Sequence, residues 1–360
     1  MRLAMTLMVR DEADIVGAMI DHHLAQGVDT LIVTDNGSVD GTAELLESYA
    51  ADGRIVLHHD PEHRKQQAVT VTRMAREAAT EHGADWVVNA DADEFWLPRA
   101  DGPTLAEVFS GIPKKIQAFD VPVHDMIGPA ALAGTGLQRL VYRDLRDTAG
   151  LNRVGLKAHA THDAVHIGDP DVEVVQGNHF VNLENRGPVP AGLEVEVLHF
   201  PWRSWEQYSR KVRNAGSAYE NSDLTPSPNH HGMRDYRRLL AGVLYPLYLC
   251  RHPDAEELEA GVAAGEYRLD TRIAERVPSP VADRPIDGTR EPVDRAIGLA
   301  LADLDRRVAE ADDRRSRTEA ELHAARDENR ALNEQLGMLR RRRVVRLADR
   351  AARLLPGKRW

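Results

Sequence analysis

Cysteine is nearly absent from this chain: among 360 residues only Cys250 carries a thiol. A single cysteine excludes an internal disulfide and a thiolate metal cluster, and makes redox chemistry an unpromising reading. Long apolar runs are missing as well. The longest, Leu239 to Cys250, is twelve residues with a proline inside it, whereas a membrane-spanning helix needs roughly 20. The N-terminus reaches Arg10, Asp11 and Glu12 without a long apolar core or a small-residue cleavage site, so no secretory signal and a cytoplasmic location are expected. Lysine is scarce, six against forty arginines. Such a bias follows from the codon usage of a GC-rich genome, so arginine abundance alone does not signal nucleic-acid binding. Three phosphate- and acyl-handling motifs are also lacking. There is no G-x-x-x-x-G-K-[ST] loop, no G-x-G-x-x-G after the first strand and no G-x-S-x-G elbow, which removes the signatures of ATPase, dinucleotide-binding and α/β-hydrolase chemistry. No repeat of 20 to 50 residues stands out.

What is present is the composition of a folded protein. The hydrophobic fraction is 42% and reaches about 49% with glycine, inside the ordinary globular range. The length suggests about two folded units, or one with an appendage. Charge is unevenly placed: residues 340–360 carry a net +8 and residues 1–339 a net −19. An acidic body disfavours nonspecific nucleic-acid binding, which needs a basic groove.

The first hundred residues alternate strand and helix. Met5–Val9, Leu31–Val33, Ile55–Leu57 and Trp86–Val88 are short continuous apolar strands, and helical spacing separates them over about 13–26, 40–46 and 67–81. Continuous apolar strands with intervening helices predict an α/β fold with a mainly parallel sheet covered on both faces. Ligands in such sheets sit at the C-terminal strand ends, which puts Arg10–Glu12, Asp35–Ser38 and Asp91–Asp93 on one rim. Residues 117–199 read as further strands and loops, and Trp202–Ala218 and Arg234–Leu249 as helices. Four prolines from Pro278 to Pro292 suggest a linker. Beyond it a 3-4 spacing runs through Leu301, Leu304, Val308 and Ala311, then Leu322, Ala325, Asn329, Leu332, Leu336 and Leu339, interrupted at Arg315 and Thr318. Such a pattern predicts a coiled coil, with Asn329 favouring a parallel dimer; a single solvated helix is the plainer alternative. The expected divisions are 1–240, a helical extension and linker at 241–295, a coiled coil at 296–339 and a basic amphipathic tail at 340–360.

Asp91-Ala92-Asp93 directly follows a buried strand. Two carboxylates at an exposed strand end can share a divalent cation with phosphate oxygens, and hard oxygen donors suit Mg²⁺ or Mn²⁺. Alone the triplet describes a solvated turn. Its continuation, Glu94-Phe95-Trp96-Leu97, adds a third carboxylate and a bulky apolar anchor that a plain turn does not call for. Here the chain resembles glycosyltransferase family 2, in its branch of GT-A-fold enzymes with an Asp-x-Asp-Glu-Phe metal motif. Three segments carry the resemblance: Val9–Ile15, with Asp11 where the family usually has Asn; His23–Asp29 with Val33–Thr42, including Asp35-Asn36-Gly37-Ser38; and Asp85–Val87 with Asp91–Phe95.

The resemblance implies a GT-A-like, Rossmann-type sheet and transfer of a sugar from a nucleotide-diphosphate donor to an acceptor hydroxyl with inversion. It implies that Asp35 accepts a hydrogen bond from the nucleobase, that Glu12 contacts base or ribose with Arg10, Asn36 and Ser38 alongside, and that Asp93 ligates the metal while Asp91 sits beside the ribose or the ion. His199, in Val197-Leu198-His199-Phe200, is the expected third ligand, with Mn²⁺ or Mg²⁺ as cofactor. Arg203 and Lys211 are expected at the diphosphate and Lys157 near the donor phosphates. The acceptor proton would go to Asp125 or Glu94. His159, His162 and His166 do not share a face if Ala164–Ile167 is a strand, so no zinc site is expected there. A noncatalytic dimeric scaffold that retains a transferase-like fold is the alternative function. The tail, Arg340 to Leu355, mixes clustered arginine with apolar residues, which suits either an anionic membrane surface or an acidic protein partner.

Overall fold

The computed structural model describes residues 1–64, 66–222, 231–286, 288–341 and 343–354. They divide into two units, Met1–Ala302 and Asp303–Trp360.

The first unit opens with β1 (Leu3–Val9), α1 (Val16–Ala25), β2 (Thr30–Asp35), α2 (Thr42–Ala51), β3 (Val56–His59), α3 (Gln67–Thr80) and β4 (Trp86–Ala90). β1 and β4 are buried almost throughout, as strands covered on both faces must be. α1 and α2 pack on one face through Val16, Met19, Ile20 and Leu46. α3 covers the other with Val71, Met74, Ala75 and Ala78. The expected alternation therefore holds, and its helices form a sandwich around the sheet.

β5 (Glu94–Pro98) follows β4 after three residues, then α4 (Leu105–Gly111), β6 (Ala118–Val121), β7 (Val123–Ile127), β8 (Ala131–Ala133), β9 (Tyr142–Asp144), α5 (Thr148–Arg153), β10 (Asp163–Ile167) and β11 (Val195–His199). The main sheet has six strands in the order β3-β2-β1-β4-β10-β6. The first four are parallel; β10 runs antiparallel to both β4 and β6. A second, five-stranded sheet, β12-β9-β7-β11-β5, uses β12 (Tyr267–Leu269) as an edge. Residues 91–93 thus step from one sheet into the other. Phe95, Trp96 and Leu97 are fully buried in the same core as β1 and α1, which accounts for the apolar residues after the acidic triplet.

α6 (Trp205–Glu220) is the helix expected near Trp202. Residues 234–249 form two helices, α7 (His231–Leu240) and α8 (Leu244–Arg251), instead of one. The break is Gly242, whose φ of +73° is left-handed and favours glycine. Pro246 lies in the first turn of α8, where a missing N–H costs little. α9 (Ala255–Ala264), α10 (Arg272–Arg276) and β13 (Arg284–Pro285) complete the unit with the start of α11 (Glu291–Arg341). The segment expected as a linker is tied down: β13 pairs with β8, and Asp283 accepts from the Gly136 N–H and Arg139. Its prolines serve a bound strap, and the compact unit extends to Ala302, past the expected boundary at 295.

Among the described residues, the second unit holds the rest of α11 and α12 (Arg343–Arg353). Leu322, Leu332, Leu336 and Leu339 are each about half exposed on it. No described helix is long and apolar enough to cross a membrane.

Candidate active site

The site is built where the C-terminal ends of β1, β2 and β4 meet the second sheet. At the end of β1, Asp11 has a φ of +56°, a left-handed position that Asn and Asp tolerate better than most residues. Its N–H donates to Ser38 Oγ at 3.0 Å, while its carboxylate accepts from the Val39 N–H at 2.8 Å and from Asn214 Nδ2 at 2.7 Å. An aspartate here suits the backbone conformation and serves as an acceptor for both bonds. Arg10 donates to the Asn36 carbonyl. Asp35, at the end of β2, is buried; its carboxylate accepts from the Ser38 N–H at 3.3 Å and lies 3.9 Å from His59 Nδ1. Asn36 donates to the carbonyls of Asp60 and Glu62 at 2.9 and 2.8 Å. It shapes the wall of the rim and spends its donors on protein.

Asp93 is 1% exposed, and three cations face its Oδ2: Lys211 Nζ in direct contact, with His199 Nε2 and Arg203 Nη1 both at 3.6 Å. Burial opposes ionisation, but these charges hold its carboxyl well below the usual range. Strand register explains His199: on β11 it pairs with Glu94 of β5 on one side and Asp125 of β7 on the other. Its Nδ1 is 2.8 Å from Asp125 Oδ1. Burial lowers its basicity, yet Asp93 and Asp125 together hold the imidazole well above its ordinary pKa. Asp125 also faces His159 Nδ1 at 3.9 Å. Burial would raise its carboxyl, but its bonds to His159 and His199 keep it far below the carboxylate range.

Asp91 and Glu94 occupy the other side of the corner. The Asp91 N–H donates to Glu94 Oε2 at 2.9 Å, and Asp91 Oδ1 accepts from Gln67 at 2.9 Å and Asn178 at 3.3 Å. Burial first, then Asp163 and Asp91, push Glu94 well above its ordinary pKa. Asp163 starts β10 beside β4; burial and then Asp91 push it up to about 8, and its Oδ1 is 3.1 Å from His179 Nδ1.

Two expected residues stand elsewhere. Arg203 is fully buried, bonded to Glu12 and, at 2.9 Å, to Asp14. A guanidinium saturated by carboxylates and closed to solvent is not available to a ligand's diphosphate, so its expected role there is corrected to that of a clasp between the β1 loop and the segment before α6. Lys157 is exposed on the loop after α5. Glu12 is held by this clasp; its N–H donates to Thr42 Oγ1, and burial, opposed by Arg203, raises its carboxyl to about 7. The three histidines face apart: His159 meets the Arg146 carbonyl, His166 is buried against Ile167, and His162 is exposed. Sequence reading missed Gln67, Asn178 and His179 as neighbours of the corner. Asn178 alone bore a hint, as a residue that accepts its φ of +64°.

Among the described residues no three His, Cys, Asp or Glu side chains are assembled as a cation cage. A two-donor site does fit. The Asp93 carboxylate and His199 Nε2 face one another, and Asp125 on Nδ1 is the outer partner that a metal-bound imidazole characteristically has. Mg²⁺ and Mn²⁺ sites of this kind take one or two protein donors and complete their shell with phosphate and water.

No curated protein matches the chain. Among solved structures, TarS from S. aureus aligns at 10% identity and a TM-score of 0.31, over 69% of this chain but 44% of its own. TarS 1–349 from S. aureus in complex with UDP-GlcNAc aligns at 9% identity and a TM-score of 0.31, covering 73% of this chain and 79% of that one. Glucosyl-3-phosphoglycerate synthase from Mycobacterium tuberculosis, in complex with Mn²⁺, UDP and phosphoglyceric acid, aligns at 15% identity and 0.28, covering 79% and 89%. These are distant likenesses. The family model described as Glycosyl transferase family 2 matches residues 7–126, from the end of β1 into β7, and this stretch holds the three segments that carry the resemblance. Over that third of its length the chain is similar to glycosyl transferase family 2.

Proposed function

We propose that the protein is a metal-dependent glycosyltransferase that moves a sugar from a nucleotide-diphosphate donor to an acceptor hydroxyl, with inversion. The observation that carries the reading is the convergence of Asp93, on the crossing between the two sheets, with His199 at the end of β11, and with Asp125 behind the imidazole. In this reading Asp35, at the buried end of β2, receives the nucleobase, and Glu12 with Arg10 and Ser38 shapes the base and ribose side. Asp93 and His199 would hold a Mn²⁺ or Mg²⁺ ion, and Asp91 would contribute to the ribose or ion side of the site. When bound, such an ion neutralises charge growing on the leaving diphosphate. Lys211, held on Asp93 at the same corner, would supply a positive charge to the diphosphate.

Of the two candidate bases Glu94 is favoured. Burial, with Asp163 and Asp91, raises the Glu94 carboxyl, and Glu94 lies beside Asp91 at the corner, whereas Asp125 is locked between two imidazoles that hold it acidic. The apolar stripe Leu322, Leu332, Leu336 and Leu339 pairs with a second copy, making a cytoplasmic homodimer.

Calorimetry with a panel of UDP- and other nucleotide sugars, with and without Mn²⁺, tests the function. Metal-coupled binding and turnover of one donor are expected, with transfer reduced at least a hundredfold in Asp93→Ala. Full transfer by that variant would overturn the metal assignment. Neither binding nor turnover by the native protein would leave the noncatalytic scaffold.

A further inference from the structure

The last described helix, α12, is sorted into two faces. Val344, Leu347 and Ala351, with Leu354 just past its end, recur at 3-4-3 spacing on one side; Arg346, Asp349, Arg350 and Arg353 lie on the other. Val344, Leu347 and Leu354 are 77%, 66% and 82% exposed. Nothing in the second unit covers this stripe among the described residues. The charge beside it is one-sided. Arg340, Arg341, Arg346, Arg350 and Arg353 stand against a single acid, Asp349, while residues 1–339 carry a net −19.

These features select the occupant. A parallel second copy of α12 would bring arginine against arginine along the seam, without the oppositely charged flanking residues that pair coiled-coil helices. An aliphatic stripe three turns long, flanked by arginine and low in mean hydrophobic content, is the composition of a helix that lies in the headgroup region of a bilayer. Anionic headgroups supply the complementary charge. The acidic body is repelled by the same surface, so contact is confined to the tail. We infer that α12 docks the protein on the surface of an anionic lipid bilayer, apolar stripe inward and arginines at the headgroups. Its stripe is too small to hold a neutral membrane without that charge. This inference does not depend on the chemistry at Asp93.

Co-flotation of the full-length protein with phosphatidylcholine vesicles, with and without phosphatidylglycerol, tests it. Flotation is expected only with phosphatidylglycerol and should fall steeply with added salt. Replacing Arg346, Arg350 and Arg353 together by Gln should lower the lipid-bound fraction roughly tenfold or more, as should Leu347→Glu alone; replacing the three by Lys should preserve it. No flotation at low salt, or flotation unchanged in both the Gln triple variant and Leu347→Glu, overturns the inference. Capture by an acidic protein without vesicle binding overturns it as well. So does a change of sedimentation coefficient in Leu347→Glu with lipid binding intact, which would make the stripe a contact between copies.

Discussion

Asp125 touches no open surface, yet it orients the imidazole that faces Asp93. Asp125→Asn keeps the shape but withdraws the charge behind His199 Nδ1. Outer partners of this kind are worth about 10- to 100-fold in metal affinity; the expected outcome is a Mn²⁺ affinity weakened by that factor, read by calorimetry, with the fold unchanged by circular dichroism. His166 offers a different test. It is fully buried, and burial lowers its pKa to about 4. Because the unfolded chain binds the proton near 6.5 and the native state does not, His166 contributes stability above that pH that is lost as pH falls toward 4. Glu12 and Asp163, with raised pKa values, act with the opposite sign, so the contribution must be read as a difference. Between pH 7 and 5 the native protein should lose roughly 2 kcal/mol more than His166→Gln in urea unfolding. At this scale the acidic residues of the rim were legible because each follows an apolar strand. Arg203 was not: nothing local in Trp202-Arg203-Ser204 announces that Glu12 and Asp14, far away in the chain, will enclose it.

Helix α11 meets the first unit through Gly298, where an added Cβ would lie 2.1 Å from the Pro246 carbonyl oxygen and 3.1 Å from Cys250 Cβ. Backbone cannot yield as a flexible side chain does. Gly298→Ala should therefore destabilise the first unit by about 1–3 kcal/mol, seen as a lower midpoint in thermal unfolding. Elements of the first hundred residues could be read in advance because local pattern and burial agree there: β1 and β4 are apolar throughout, and α3 keeps its buried residues on one face. The second sheet was harder to see. Its strands are three to five residues long, and β9 and β12, distant in sequence, pair only with each other and with β7. The proline-rich strap misled for a related reason. Proline marks where a helix cannot continue but is silent on whether the chain is bound, and β13 is bound by β8.

For the whole molecule, the half-exposed leucines of the second unit predict self-association. Sedimentation equilibrium should give a dimer, and Leu332→Glu with Leu336→Glu a monomer whose first unit retains its secondary structure. The division at Ala302 was legible only as a change of periodicity; its place depends on Arg295, Gly298 and Ala302 being buried at the start of α11, which no window of sequence shows.

The three residues between β4 and β5 join strands of the two sheets, and they carry both aspartates of the triplet. A ligand gripping Asp91 and Asp93 would brace this crossing from both ends. Amide exchange should then slow together in Trp86–Ala90 and in Glu94–Pro98, so occupancy at one corner would be audible across both halves of the core.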